Sequence, residues 1–146
     1  MNMPDHFSAR AKEVLSFASE EALRLDDHTL DTEHLLMGLI RQGNNPALTS
    51  FRKAHIDIDQ LWREAESASL LRGHARRKPD FRLPLSRTSA KVLDRAEREA
   101  RSLQSSLVEP EHLVLALLRH KRNKAARILE QFSLSYEEFL HGLRLQ

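Results

Sequence analysis

The chain has 146 residues, 40% hydrophobic and 30% charged, with a formal net charge of +2 and no cysteine. This balance excludes a disordered chain, a disulfide framework and a thiolate metal site, and so weak a field argues against binding nucleic acid through bulk charge. The first residues lack a basic patch followed by an apolar run, and the longest apolar run, Leu113 to Leu118, is far too short to span a bilayer. A cytoplasmic protein with no membrane partner is expected.

Residues 7–25 place Phe7, Ala11, Val14, Leu15, Ala18, Ala22 and Leu25 at spacings of three and four. That pattern predicts a long helix with one apolar stripe, capped by the Ser8 hydroxyl. A second helix is expected from Thr32 to Arg41, apolar on most sides and therefore central. Asn45 and Pro46 then suit the cap and first position of a short helix ending near Ala54. Asp57 caps a fourth, with Leu61, Trp62, Ala65 and Ala68 along one side. Residues 72–85 hold glycine, proline and a cluster of basic side chains, and read as an exposed linker. Beyond it, Ser86 or Thr88 opens a helix to about Leu103, and Pro110 opens one ending near His120. Asn123 caps the next, from Lys124 to Phe132, and Ser135 caps a last one with Phe139, Leu140 and Leu143 inward.

The second half repeats the first. Glu33-His34-Leu35 returns as Glu111-His112-Leu113, Val14-Leu15 as Val92-Leu93, and Glu21-Ala22 as Glu99-Ala100, all at one shift of 78 positions. Aligning residues 7–65 with 85–143 without a gap gives 14 identities in 59 positions, the mark of a duplicated unit. The expected fold is all-α: two tandem four-helix repeats, at about 7–71 and 86–145, packed about a pseudo-two-fold axis. Either repeat alone would bury too little surface to be stable.

Several chemistries are missing. Gly38 to Gly43 has the glycine spacing of a phosphate-binding loop, but Asn44-Asn45 follows where lysine and a hydroxyl residue are required, and the segment falls in a helix. No ATP hydrolysis is expected, and no cofactor. No two histidines stand four apart on a helix with a third ligand near, so no metal is assigned. His34 and His112 are expected to fix the loops before their helices. The run Arg119-His120-Lys121-Arg122-Asn123-Lys124 and the basic linker lack interleaved aromatic residues, and a solvated surface is the better reading. A small helical nucleic-acid-binding regulator is the alternative they support. An enzyme built on Glu33 lacks a base–nucleophile pair.

Glu33 and Glu111 sit in the first turns of their helices, where the macrodipole favours an acid whatever its use. A functional reading is also open. Facing outward beside a helix start, each carboxylate would take a guanidinium while the free N–H groups and a serine hydroxyl take an anion.

Thr32-Glu33-His34-Leu35-Leu36-Met37-Gly38-Leu39 and Pro110-Glu111-His112-Leu113-Val114-Leu115-Ala116-Leu117 resemble the paired motifs in the double N-terminal domain of Clp-type AAA+ unfoldases, nearest the ClpC branch. The likeness runs from about Phe7 to the end. It implies a non-catalytic domain tethered to hexameric Clp ATPase rings and their associated protease. Such a domain receives protein substrates and adaptor proteins for unfolding and degradation. It also implies binding of phosphorylated arginine at two symmetric sites, with the motif glutamate on the guanidinium and a hydroxyl at a helix start on the phosphoryl group. Carried over by position within each copy, those sites are Glu33 with Ser8 and Glu111 with Ser86. The family's glycine before the motif is replaced by Asp31 and Glu109, whose charge favours a guanidinium and opposes a phosphoryl group. Either an excised domain or a free-standing accessory of the machine fits the chain. Its end at Leu145-Gln146, just after the last helix, is what an excised domain would show.

Overall fold

The computed structural model describes residues 4–70 and 84–146. The described residues form eight helices: α1 (Ala9–Arg24), α2 (Thr32–Gln42), α3 (Pro46–Lys53), α4 (Ile58–Leu70), α5 (Arg87–Ser102), α6 (Pro110–Arg119), α7 (Lys124–Gln131) and α8 (Tyr136–Arg144). The expected linker lies outside the described residues except at its last positions, Pro84 and Leu85.

Local chemistry sets the boundaries. Side chains of Ser8, Asn45, Ser86, Asn123 and Ser135 each accept a backbone N–H of the first turn that follows. Asp57 does the same for α4 through the Gln60 N–H, at 3.2 Å. Each cap of this kind is worth about 1 kcal/mol. The stops are as regular as the starts. Asp26, His55, Gln104 and Ser133 adopt left-handed backbone with φ between 59° and 62°, and each ends a helix. They form two pairs at the repeat shift, Asp26 with Gln104 and His55 with Ser133.

One continuous core joins both copies, with Val14, Leu15, Leu35, Leu36 and Phe51 from the first and Leu113, Val114, Leu129 and Phe139 from the second. Each such side chain contributes about 1.5–3 kcal/mol on burial. Packing crosses between the copies: α4 lies against α7, α8 lies against α3, and the Phe51 and Phe139 rings meet at 5.9 Å. Inside each copy a buried glutamate of the first helix holds the arginine that closes the second. Glu21 meets Arg41 at 3.1 Å and Glu99 meets Arg119 at 3.1 Å. Gly38 lets α1 and α2 approach closely, since a Cβ there would stand 2.2 Å from the Val14 carbonyl oxygen.

The two-fold relation is written in backbone hydrogen bonds. Phe7 bridges to Val108, and Leu30 bridges to Leu85. The Ser8 N–H donates to Val108 O at 2.9 Å, and the Ser86 N–H donates to Leu30 O at 3.0 Å. The return bonds run from Val108 N to His6 O and from Leu30 N to Pro84 O, at 2.8 and 2.9 Å. Each copy therefore lends the extended segment before its first helix to the loop before the other copy's second helix.

Candidate functional site

That exchange regroups the candidate residues. Ser86, cap of α5, comes to the start of α2, where its hydroxyl donates to Asp31 Oδ1 at 2.8 Å. Ser8, cap of α1, comes alongside the segment that leads into α6. The pairing by copy, Glu33 with Ser8 and Glu111 with Ser86, is corrected: Glu33 shares its end of the molecule with Ser86, and Glu111 shares its end with Ser8. Exchange of these short segments between duplicated units leaves no trace in residue spacing, so position within a copy pointed to the wrong partner.

The two ends are unequal. Glu33 has no exposed surface, against the expectation that both motif carboxylates face outward. It lies 3.6 Å from Lys124 Nζ, at the start of α7. Lys124 also stands 3.7 Å from Asp31 Oδ2. Asp31 caps α2, accepting from the Thr32 N–H at 2.8 Å. The Thr32 hydroxyl oxygen in turn accepts the Ala125 N–H at 3.2 Å, locking the first turn of α7 in place.

Glu111 is half-buried and borders an open cavity of about 340 Å³ whose walls include Pro46, Glu109, His112, Leu140 and Arg144. Its Oε1 is buried and has no hydrogen-bond partner among the described residues. Burial raises the Glu111 carboxyl above its ordinary value and Glu109 raises it further. Its own backbone N–H and Arg10 act in the opposite direction. Arg10, in the first turn of α1, thus adds a positive charge near the Ser8 end of this notch.

Both motif histidines hold the preceding loop, as their positions suggested. His34 Nδ1 accepts from the Asp31 N–H at 2.9 Å, and His112 Nδ1 accepts from the Glu109 N–H at 2.8 Å. With Nδ1 accepting, the neutral His34 ring carries its proton on Nε2, which faces Ser69 Oγ at 3.0 Å and Asp27 Oδ2 at 3.3 Å. Candidate ligand atoms of Asp27, Glu33 and His34 lie within 4.8 Å of one another. The ring offers no free lone pair, and His34, Ser69 and Asp27 form a hydrogen-bonded support for the α2 start. Burial lowers the His112 pKa, with Glu109 and Glu99 opposing.

The basic run after α6 is partly consumed within the fold. Arg119 pairs with Glu99 and stacks on the Tyr136 ring at 4.1 Å, and Lys124 faces Asp31 and Glu33. The glycine-spaced segment from Gly38 lies inside α2, with Gly43 as its left-handed C-cap. Lys124 and Arg10 were not foreseen as site residues. The one available signal for Lys124 was its alignment with Pro46 under the repeat shift, a cation in one copy against none in the other.

The profile of the Clp repeat (R) N-terminal domain matches residues 6–132. The chain belongs to that family. Relatives of this Clp repeat N-terminal domain include the negative regulator of genetic competence ClpC/MecB of Bacillus subtilis, 35% identical over 129 residues. Another is the chaperone protein ClpB of Oceanobacillus iheyensis, 33% identical over 129 residues. Both alignments cover 88% of this chain but 15% and 16% of the relatives, so the chain spans a small fraction of their length. In fold the Clp repeat domain is similar to the N-terminal domain of the chaperone ClpD from Arabidopsis thaliana, with a TM-score of 0.73 and 23% identity. That match covers 97% of this chain and 99% of the other. Among the described residues no helix is long and apolar enough to cross a membrane.

Proposed function

We propose that this Clp repeat domain is the non-catalytic receiving module of a ClpC-like ATPase in the cytoplasm. It takes protein substrates and adaptors and passes them to the ATPase ring and its associated protease. The contact residue is Glu111, which receives an arginine side chain, including one that is phosphorylated. The observation that carries this reading is the half-buried Glu111 at the edge of an open cavity, with a buried Oε1 that has no hydrogen-bond partner among the described residues. The charge of Arg10, in the first turn of α1, acts on the same carboxylate. The carboxylate takes the guanidinium. The Ser8 hydroxyl, the free N–H groups of α1 and the Arg10 charge suit the phosphoryl group.

Calorimetric titration of phosphoarginine into the wild type and into Glu111→Ala tests this. A charge-assisted hydrogen-bond fork is worth about 1.5–3 kcal/mol, so the variant should bind at least tenfold more weakly. Equal affinity in the two proteins overturns the reading.

A further inference from the structure

We propose that the two notches have diverged into one binding site and one internally occupied site, so that the chain takes a single phosphoguanidinium ligand, at Glu111. This inference rests on the reading of Glu111 as the contact residue. At the other end, the fold already supplies both charges that such a ligand would bring. The Lys124 ammonium stands 3.6 Å from the Glu33 carboxylate, in the place of a guanidinium. The Asp31 carboxylate accepts the Ser86 hydroxyl at 2.8 Å, in the place of a phosphoryl group. Asp31 and Lys124 face each other at 3.7 Å, as the two ends of one ligand would.

The Glu111 end lacks this internal occupant. The repeat shift carries Lys124 onto Pro46, which has no cation, and Thr32 onto Pro110, which has no hydroxyl to hold the neighbouring helix. Ser8 Oγ accepts the Ala11 N–H at 3.1 Å, and its own proton goes to no acceptor among the described residues. Glu33 is wholly covered, while Glu111 opens to the cavity. A ligand entering the first notch would have to displace Lys124 from Glu33 and Asp31 from Ser86. Entry at the second displaces no such pair.

The test is the stoichiometry of free phosphoarginine binding, by calorimetry, to the wild type and to the double variant Asp31→Gly with Lys124→Ala. Glycine is tolerated as a helix cap, so the variant should stay folded. Should it melt early, Asp31→Asn with Lys124→Ala keeps the cap and is read in the same way. One ligand per chain in the wild type and two in the variant is the expected result. Two in the wild type overturns the divergence and leaves the Glu111 reading standing. A folded variant that still binds one overturns the role given to Asp31 and Lys124. No binding to the wild type removes the Glu111 reading and this inference with it.

Discussion

Ser86 and Asp31 lie 55 positions apart in the chain and in different copies, yet the Ser86 hydroxyl donates to Asp31 at 2.8 Å. The contact exists because the segment before α5 bridges to the loop before α2, and the segment before α1 bridges reciprocally to the loop before α6. Neither copy can leave without breaking both exchanges and splitting the shared core.

The two copies should therefore unfold as one unit. Thermal melting followed separately by the Trp62 fluorescence of the first copy and by amide signals of α5 and α6 should give one midpoint. Two midpoints would show that each copy carries a core of its own.

Gly38→Ala should destabilise the domain by about 1–3 kcal/mol, because the new methyl meets backbone rather than a yielding side chain. The reverse change at the matching position of the second copy, Ala116→Gly, should cost only about 1 kcal/mol from helix propensity. Urea unfolding of the two variants compares them directly. A Gly38→Ala variant as stable as the wild type would contradict the close approach of α1 and α2.

Most of the helical frame was legible in the residues. Apolar spacing marked the helices, and Ser8, Asn45, Asp57, Ser86, Asn123 and Ser135 marked their starts, because capping is local chemistry. The duplication, carried by Glu33-His34 and Glu111-His112, made the two-fold packing an expectation. Which ends meet was not legible. Pairing of Phe7 with Val108 is a tertiary choice between two copies of the same pattern, and neither spacing nor composition distinguishes them. Burial of Glu33 was hidden for a related reason. Its ion-pair partner is Lys124, a residue of the other copy that lies far away in the sequence.

The titrations at the second notch have opposite signs. Burial raises the Glu111 pKa above its unfolded value of 4.5, so its favourable contribution is complete below that pH and is lost as pH rises through the folded value. Glu111→Gln should therefore be more stable than the wild type at neutral pH, with the difference closing as the medium is acidified. The His112 pKa is lowered from 6.5, so its contribution is complete above that pH and is lost as pH falls through the folded value. Melting temperature against pH for the wild type, Glu111→Gln and His112→Gln checks both signs.

Binding should carry the same signature. A guanidinium needs the ionised Glu111, so affinity for an arginine-containing peptide should rise with pH through the Glu111 titration and level off once that group is ionised. Calorimetry in buffers of different ionisation enthalpy should detect proton release on the acid side. A pH-independent affinity would place the ligand elsewhere.

The most direct measurement is the set of backbone amide shifts in the NMR spectrum during titration with phosphoarginine. The account predicts saturable shifts at Ser8, Arg10, Glu111 and His112, with Thr32, Glu33 and Ser86 unmoved. Shifts confined to the basic residues after α6, or equal shifts at the two helix starts, would contradict it.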